Sequence, residues 1–188
     1  MLLCAGAVAL SAAGAAAAGG GRYTIDGGTP QEREQVRLAL DASAFDWSIV
    51  PQVAIHIGRG LPSTASTGSF SLDADLLDAG RFSWGVVQHE YAHELDLLVL
   101  TDADRARLAQ ALGGTAWWPT AGSDHGALTC ERFAAALAWA YWPSSDNVMA
   151  PESQDDEAAS MAPSAFRALL AAVVASHQLI AAFTPKSA

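Results

Sequence analysis

The sequence predicts an α+β fold, with a small antiparallel sheet first and a mostly helical part after it. Three observations predict this. Two short segments in the first half, 52–57 (QVAIHI) and 69–76 (SFSLDADL), carry strand patterning between turn residues. From Phe82 onward the apolar residues recur at three- and four-residue steps. The 188 residues, 51% of them hydrophobic, suit one domain with a buried core and exclude wholesale disorder.

Residues 2–18 (LLCAGAVALSAAGAAAA) carry no charge and run into Gly19-Gly20-Gly21. About 17 small apolar residues is the lower limit for a membrane span, and the alanines at 16–18 fit an A-x-A cleavage site. The expectation is a secretory signal peptide over 1–18 and a single domain over 19–188, hence a secreted or cell-envelope protein. No basic residue precedes Leu2, so an uncleaved leader is the other form of the same reading. Leu3 is too large for the small residue a lipidated Cys4 would need before it.

Residues 22–29 are polar and Gly-rich and read as an arm or turn. Thr29, Pro30 and Glu32 are an N-cap, a first-turn proline and a first-turn acid, opening a helix that runs to Ala42. The strand over 52–57 follows Pro51, residues 58–68 form a loop rich in Gly, Ser, Thr and Pro, and the second strand occupies 69–76. A helix spans 82–100. A second helix spans 102–112, with Thr101 as cap and Gly113-Gly114 as stop. After the Trp117-Trp118-Pro119 loop, an Ala-rich helix covers 127–142 and ends at Pro143. Residues 144–162 are polar and acidic and read as a surface loop, and a last helix covers 163–183.

Ten basic against twenty acidic residues give a formal charge of −10. Lys and Arg are too few to replace phosphate counterions, and the acidic surplus opposes an anionic membrane surface. Nucleic-acid and membrane partners are therefore not expected. Two cysteines make no disulfide framework.

The chemistry centres on His89-Glu90-Tyr91-Ala92-His93, an H-E-x-x-H motif inside the most periodic helix. Residues four apart lie about 40° apart around a helix axis, so both imidazoles face one way and can grip one metal ion. Glu90 lies about 100° from His89, at the edge of that face, where it can reach a zinc-bound water as general base without being a ligand. A catalytic zinc needs a third protein ligand and an open position. The metzincin continuation is absent, because Asp96 and Val99 occupy its Gly and His positions. Glu131, 38 residues past His93, lies near the start of the Ala-rich helix. Ala134, Ala135 and Ala138 would let that helix approach closely. His125 and Asp124, in the loop before it, are rival ligands.

Residues 86–96 (VVQHEYAHELD) followed by 130–138 (CERFAAALA) resemble the gluzincin metallopeptidases. They are most similar to the compact group around lethal-factor-type and Pro-Pro endopeptidase domains. The resemblance covers 70 to about 142, somewhat under half of the chain. It implies a zincin-like fold and a Zn2+ ion held by His89, His93 and Glu131, with Glu90 as catalytic base. It also implies that the 69–76 strand is the sheet edge along which an extended peptide pairs. The expected activity is a zinc-dependent peptidase acting as a monomer on a protein or peptide substrate. A silent binding module or a cell-wall amidase would use the same motif. One feature departs from the group. Where it places an oxyanion-stabilising Tyr, this chain has Asp124-His125-Gly126, so His125 is the candidate donor and Tyr141 a more distant one.

The remaining candidates read more plainly. Asp96, two turns after His89, suits an outer partner for an imidazole N–H or a solvated surface acid. Cys130 faces about 100° away from Glu131 and reads as a core thiol. His56 and His177 read as ordinary histidines. Trp117 and Trp118 read as rim anchors or a substrate wall.

Overall fold

The computed structural model describes residues 21–114 and 116–183, with side chains through Ala175. The leader over 1–18, Cys4 and the His177 side chain lie outside the described residues. The chain forms a mixed α+β fold, a four-stranded sheet followed by helices. Strand β1 (Tyr23–Gly27) leads into helix α1 (Pro30–Ala42), then strands β2 (Val53–Gly58), β3 (Thr64–Ser66) and β4 (Ser69–Asp73). After a single turn, α2 (Ala74–Leu77), come α3 (Trp84–Leu98), α4 (Asp102–Leu112), α5 (Thr129–Tyr141) and α6 (Pro163–Phe183).

Thr29 caps α1 as expected. Its hydroxyl accepts from the Glu32 amide while Glu32 accepts from the Thr29 amide, satisfying two free donors of the first turn. Thr101 and Asp104 close the same box on α4, and Gly113, at φ 70°, ends it.

The sheet corrects the expected antiparallel pair. Its order is β1-β2-β4-β3, with β2 parallel to β4 and only β3 antiparallel to its neighbour. The reason lies in the segment read as a loop. Residues 64–66 are a third strand that lies beyond β4 and carries the chain back, so β4 runs in the direction of β2 and sits between the two. The sheet edge on this side is therefore β3 and not the 69–76 segment. That segment also stops early: Asp73 ends the strand and caps α2 by accepting from the Asp75 amide. The arm over 22–29 contains β1, parallel to β2 across the α1 crossover. It has no fully buried residue to betray it.

The sheet buries Val53, Ile55, Ile57, Phe70 and Leu72, while His56 alternates outward and is exposed. The core continues through Tyr91, Leu95, Phe133 and Leu137 to Phe166 on α6. Helices α3 and α5 pack on each other, and Ala92 on α3 and Ala134 and Ala138 on α5 are buried. Residues 144–162 are more than a surface loop. Buried Asn147 donates to the carbonyls of Ala138 and Trp142, closing the end of α5, and a short 3-10 helix (Glu157–Ser160) packs back on α5.

Candidate metal centre

Helix α3 carries His89 and His93 on one face, one turn apart, and α5 brings Glu131 against them from its first turn. Small residues between the helices make this approach possible. The two Nε2 atoms lie 3.1 Å apart. Glu131 Oε2 lies 3.2 Å from His89 Nε2 and 3.3 Å from His93 Nε2. All three residues are largely buried, with side-chain exposures of 9 to 12%. Two imidazole nitrogens and one carboxylate oxygen thus converge as a nearly equilateral triangle, a group that can hold a metal ion. Tetrahedral donors about 2.05 Å from a shared centre lie about 3.3 Å from one another, so the residues present fit such an ion.

The charges suit ligands. Burial by itself would raise the Glu131 pKa, but hydrogen bonds and charge from His89 and His93 outweigh it and hold the carboxyl far below its usual range. Burial works against the charged form of His93, yet Glu131, Glu90 and Asp96 together raise its pKa. Glu90, also buried, has its pKa raised by desolvation, against the lowering pull of His89 and His93.

Cys130 adds a contact that the 100° argument missed. Its thiol donates to Glu131 Oε1 at 3.6 Å, leaving Oε2 for the histidines. Burial and the Glu131 charge push that thiol up to about 12, which disfavours the thiolate. Asp96 does not hold an imidazole. It is fully buried and accepts from Arg105 Nε at 2.7 Å and from Trp117 Nε1 at 2.8 Å, pinning α4 and the tryptophan loop to α3. Among the described residues His89 Nδ1 has no hydrogen-bond partner.

The triangle opens into a cleft of about 660 Å³. Residues 63–67, including β3, form one wall, and Trp118, Pro119 and His125 line it as well. Glu90 lies in the cleft beside the donors. His125 is exposed at the rim, its Nε2 3.4 Å from Glu131 Oε2 and its Nδ1 3.4 Å from Glu157 Oε1. The rival ligand Asp124 is exposed and outside the cleft. Tyr141 packs on Phe45 and is likewise outside it. The two tryptophans divide the roles considered for them: Trp117 is the anchor on Asp96, and Trp118 is a wall of the cleft under Arg105.

No protein-family model, curated protein or solved structure matches the chain. The site therefore stands on its own geometry. Sequence reasoning missed Glu157, because nothing in an acidic loop marks one carboxylate as facing inward. It also missed residues 63–67, which are too polar to show strand patterning.

Proposed function

We propose that this protein is a secreted, single-domain zinc metallopeptidase. The observation that carries the reading is the meeting of His89, His93 and Glu131 in a cleft that also holds Glu90 and runs beside a strand edge. The gluzincin resemblance of residues 86–96 and 130–138 supports it. Zinc bound there supplies a Lewis acid that polarises the scissile carbonyl and lowers the pKa of water toward neutrality. The chain's own residues do the rest. Glu90, its pKa raised by burial, takes a proton from the attacking water and passes it to the departing amine as the C–N bond breaks. His125 stands at the rim with an imidazole N–H to offer the developing oxyanion. The outer edge of β3 pairs with no strand among the described residues, so its backbone is available to an extended peptide. The secreted location rests on residues 1–18. Among the described residues no helix is long and apolar enough to cross a membrane.

Elemental analysis of the purified protein tests this. The expected result is about one zinc per chain, lost in Glu131→Ala. The absence of any bound metal after preparation without chelators would sink the reading. Iron in place of zinc would keep the site and change the chemistry, because two histidines and a carboxylate serve both metals.

A further inference from the structure

Glu94 follows the ligand His93 and is fully buried, yet no part of the proposed chemistry uses it. Its Oε2 accepts the Gly68 backbone N–H at 2.8 Å, and the Ser69 amide adds to the same interaction. Its Oε1 is buried with no hydrogen-bond partner among the described residues. Burial pushes this carboxyl up to about 7, a measure of how unfavourable the location is for an acid. Gly68 is the second residue of the two-residue turn that joins β3 to β4, and its φ of 83° suits glycine.

The strand that this turn carries packs against α3 with little apolar area of its own. Strand β3 is three residues long, with Thr64 and Ser66 exposed and only Ala65 half-buried. Its polar side-chain contacts run to its own hairpin: Ser66 Oγ to Ser69, Ser71 Oγ to the Pro62 carbonyl and Ser63 Oγ to the Asp73 amide. These hold β3 to β4. They do not set the distance from β3 to the metal-binding helix, which is the width of the cleft. Core packing of Ala65, and of Phe70 on Tyr91, contributes to it, and Glu94 adds a hydrogen bond to the turn from the residue next to a ligand.

We propose that Glu94 is a positioning residue that fixes the free edge of β3 relative to His93, and so fixes where an extended peptide lies against the metal centre. This rests on the metallopeptidase reading above. An apolar residue would fill the same space without holding the Gly68 amide. That amide would then lose its partner, and the turn would lose its hydrogen-bonded tie to α3.

Two probes separate this role from a general structural one. Acetohydroxamate chelates a metal and is too small to reach β3. A tetrapeptide hydroxamate adds a backbone that pairs with the strand edge. On the zinc-loaded full-length protein the tetrapeptide probe is expected to bind at least about tenfold more tightly than acetohydroxamate. Glu94→Ala should erase that margin while leaving acetohydroxamate affinity within about twofold and zinc at one per chain. Glu94→Gln, whose amide oxygen can accept from the Gly68 N–H, should restore the margin. Equal loss for both probes, or no loss for either, overturns the proposal. Equal affinity of the wild-type protein for both probes keeps the metal centre and removes the strand edge as a docking surface, overturning the proposal alone. Failure of both probes to bind the wild-type protein sinks the metal reading and this proposal with it. If Glu94→Ala does not fold, amide exchange of the wild-type protein decides. Protection of the Gly68 amide comparable to β4 supports the anchor, and exchange at the rate of an open turn overturns it.

Discussion

Glu90 and Glu131 are the same amino acid, both buried, and their surroundings push them in opposite directions. Desolvation dominates at Glu90 and raises its pKa, whereas two imidazoles within 3.3 Å overcome desolvation at Glu131 and keep it ionised. A pair of carboxyl groups driven apart in this way divides into a proton carrier and a permanent anion, the two roles that the proposed function needs as base and ligand. Glu90→Gln is therefore expected to keep one metal per chain and to lose about 10²–10⁴-fold in peptide hydrolysis. Metal analysis and turnover measured on the same sample check it. Cys130 offers an independent check of the same environment. With its thiol buried and pushed up to about 12, alkylation by iodoacetamide at pH 8 should leave the Cys130 peptide unmodified in the native protein and complete only after unfolding. Peptide mapping by mass spectrometry reads the difference. His89, His93 and Glu90 were legible in the sequence because helix geometry turns a spacing into a shared face, whereas Glu131, on another helix, was readable only as one candidate beside His125 and Asp124. Asp96 was not legible. Its register with His89 allowed an imidazole partner, but Arg105 and Trp117 arrive from α4 and the following loop, and no spacing within one helix announces them.

At the level of elements, α3 and α5 form the site because nothing bulky separates them, and Asn147 seals the end of α5 near Gly85. A side chain at Gly85 would overlap Asn147 Oδ1 and push it off the carbonyls of Ala138 and Trp142. Gly85→Ala should cost about 2–4 kcal/mol, since overpacking and two lost buried hydrogen bonds add together. Chemical denaturation measures this, and a change below about 0.5 kcal/mol would mean that Asn147 yields freely. The helices were legible because their caps and periods are local: Thr29 with Glu32, Thr101, and Gly113 each mark a boundary within one turn. The strand directions were not. Whether β4 runs with or against β2 depends on where residues 64–66 lie, and a three-residue strand with an exposed pattern leaves no apolar alternation to read. Strand β1 escaped for a related reason, as an edge strand with no fully buried position.

For the molecule as a whole, the donor triangle ties the helical half together across 42 residues of chain between His89 and Glu131. A metal that binds only the folded state at about 1,000 times its dissociation constant contributes about 4 kcal/mol. In a domain of this size each kcal/mol moves Tm by about 2–4 °C, so chelation is expected to lower Tm by about 10 °C. Calorimetry with and without chelator checks it. An unchanged Tm would mean that α3 and α5 hold their places without the ion. The edge strand has a consequence of another kind. Any unpaired strand edge invites a second copy of the chain, and long, flat, apolar edges seed aggregates. Strand β3 has three residues, begins just after Pro62 and Ser63, ends at a glycine-containing turn and shows water Thr64 and Ser66. Two copies meeting edge to edge would share too few backbone hydrogen bonds and too little apolar area to stay together. The surface that would greet a passing peptide is thus a poor template for fibrils, which lets an open cleft persist at high protein concentration.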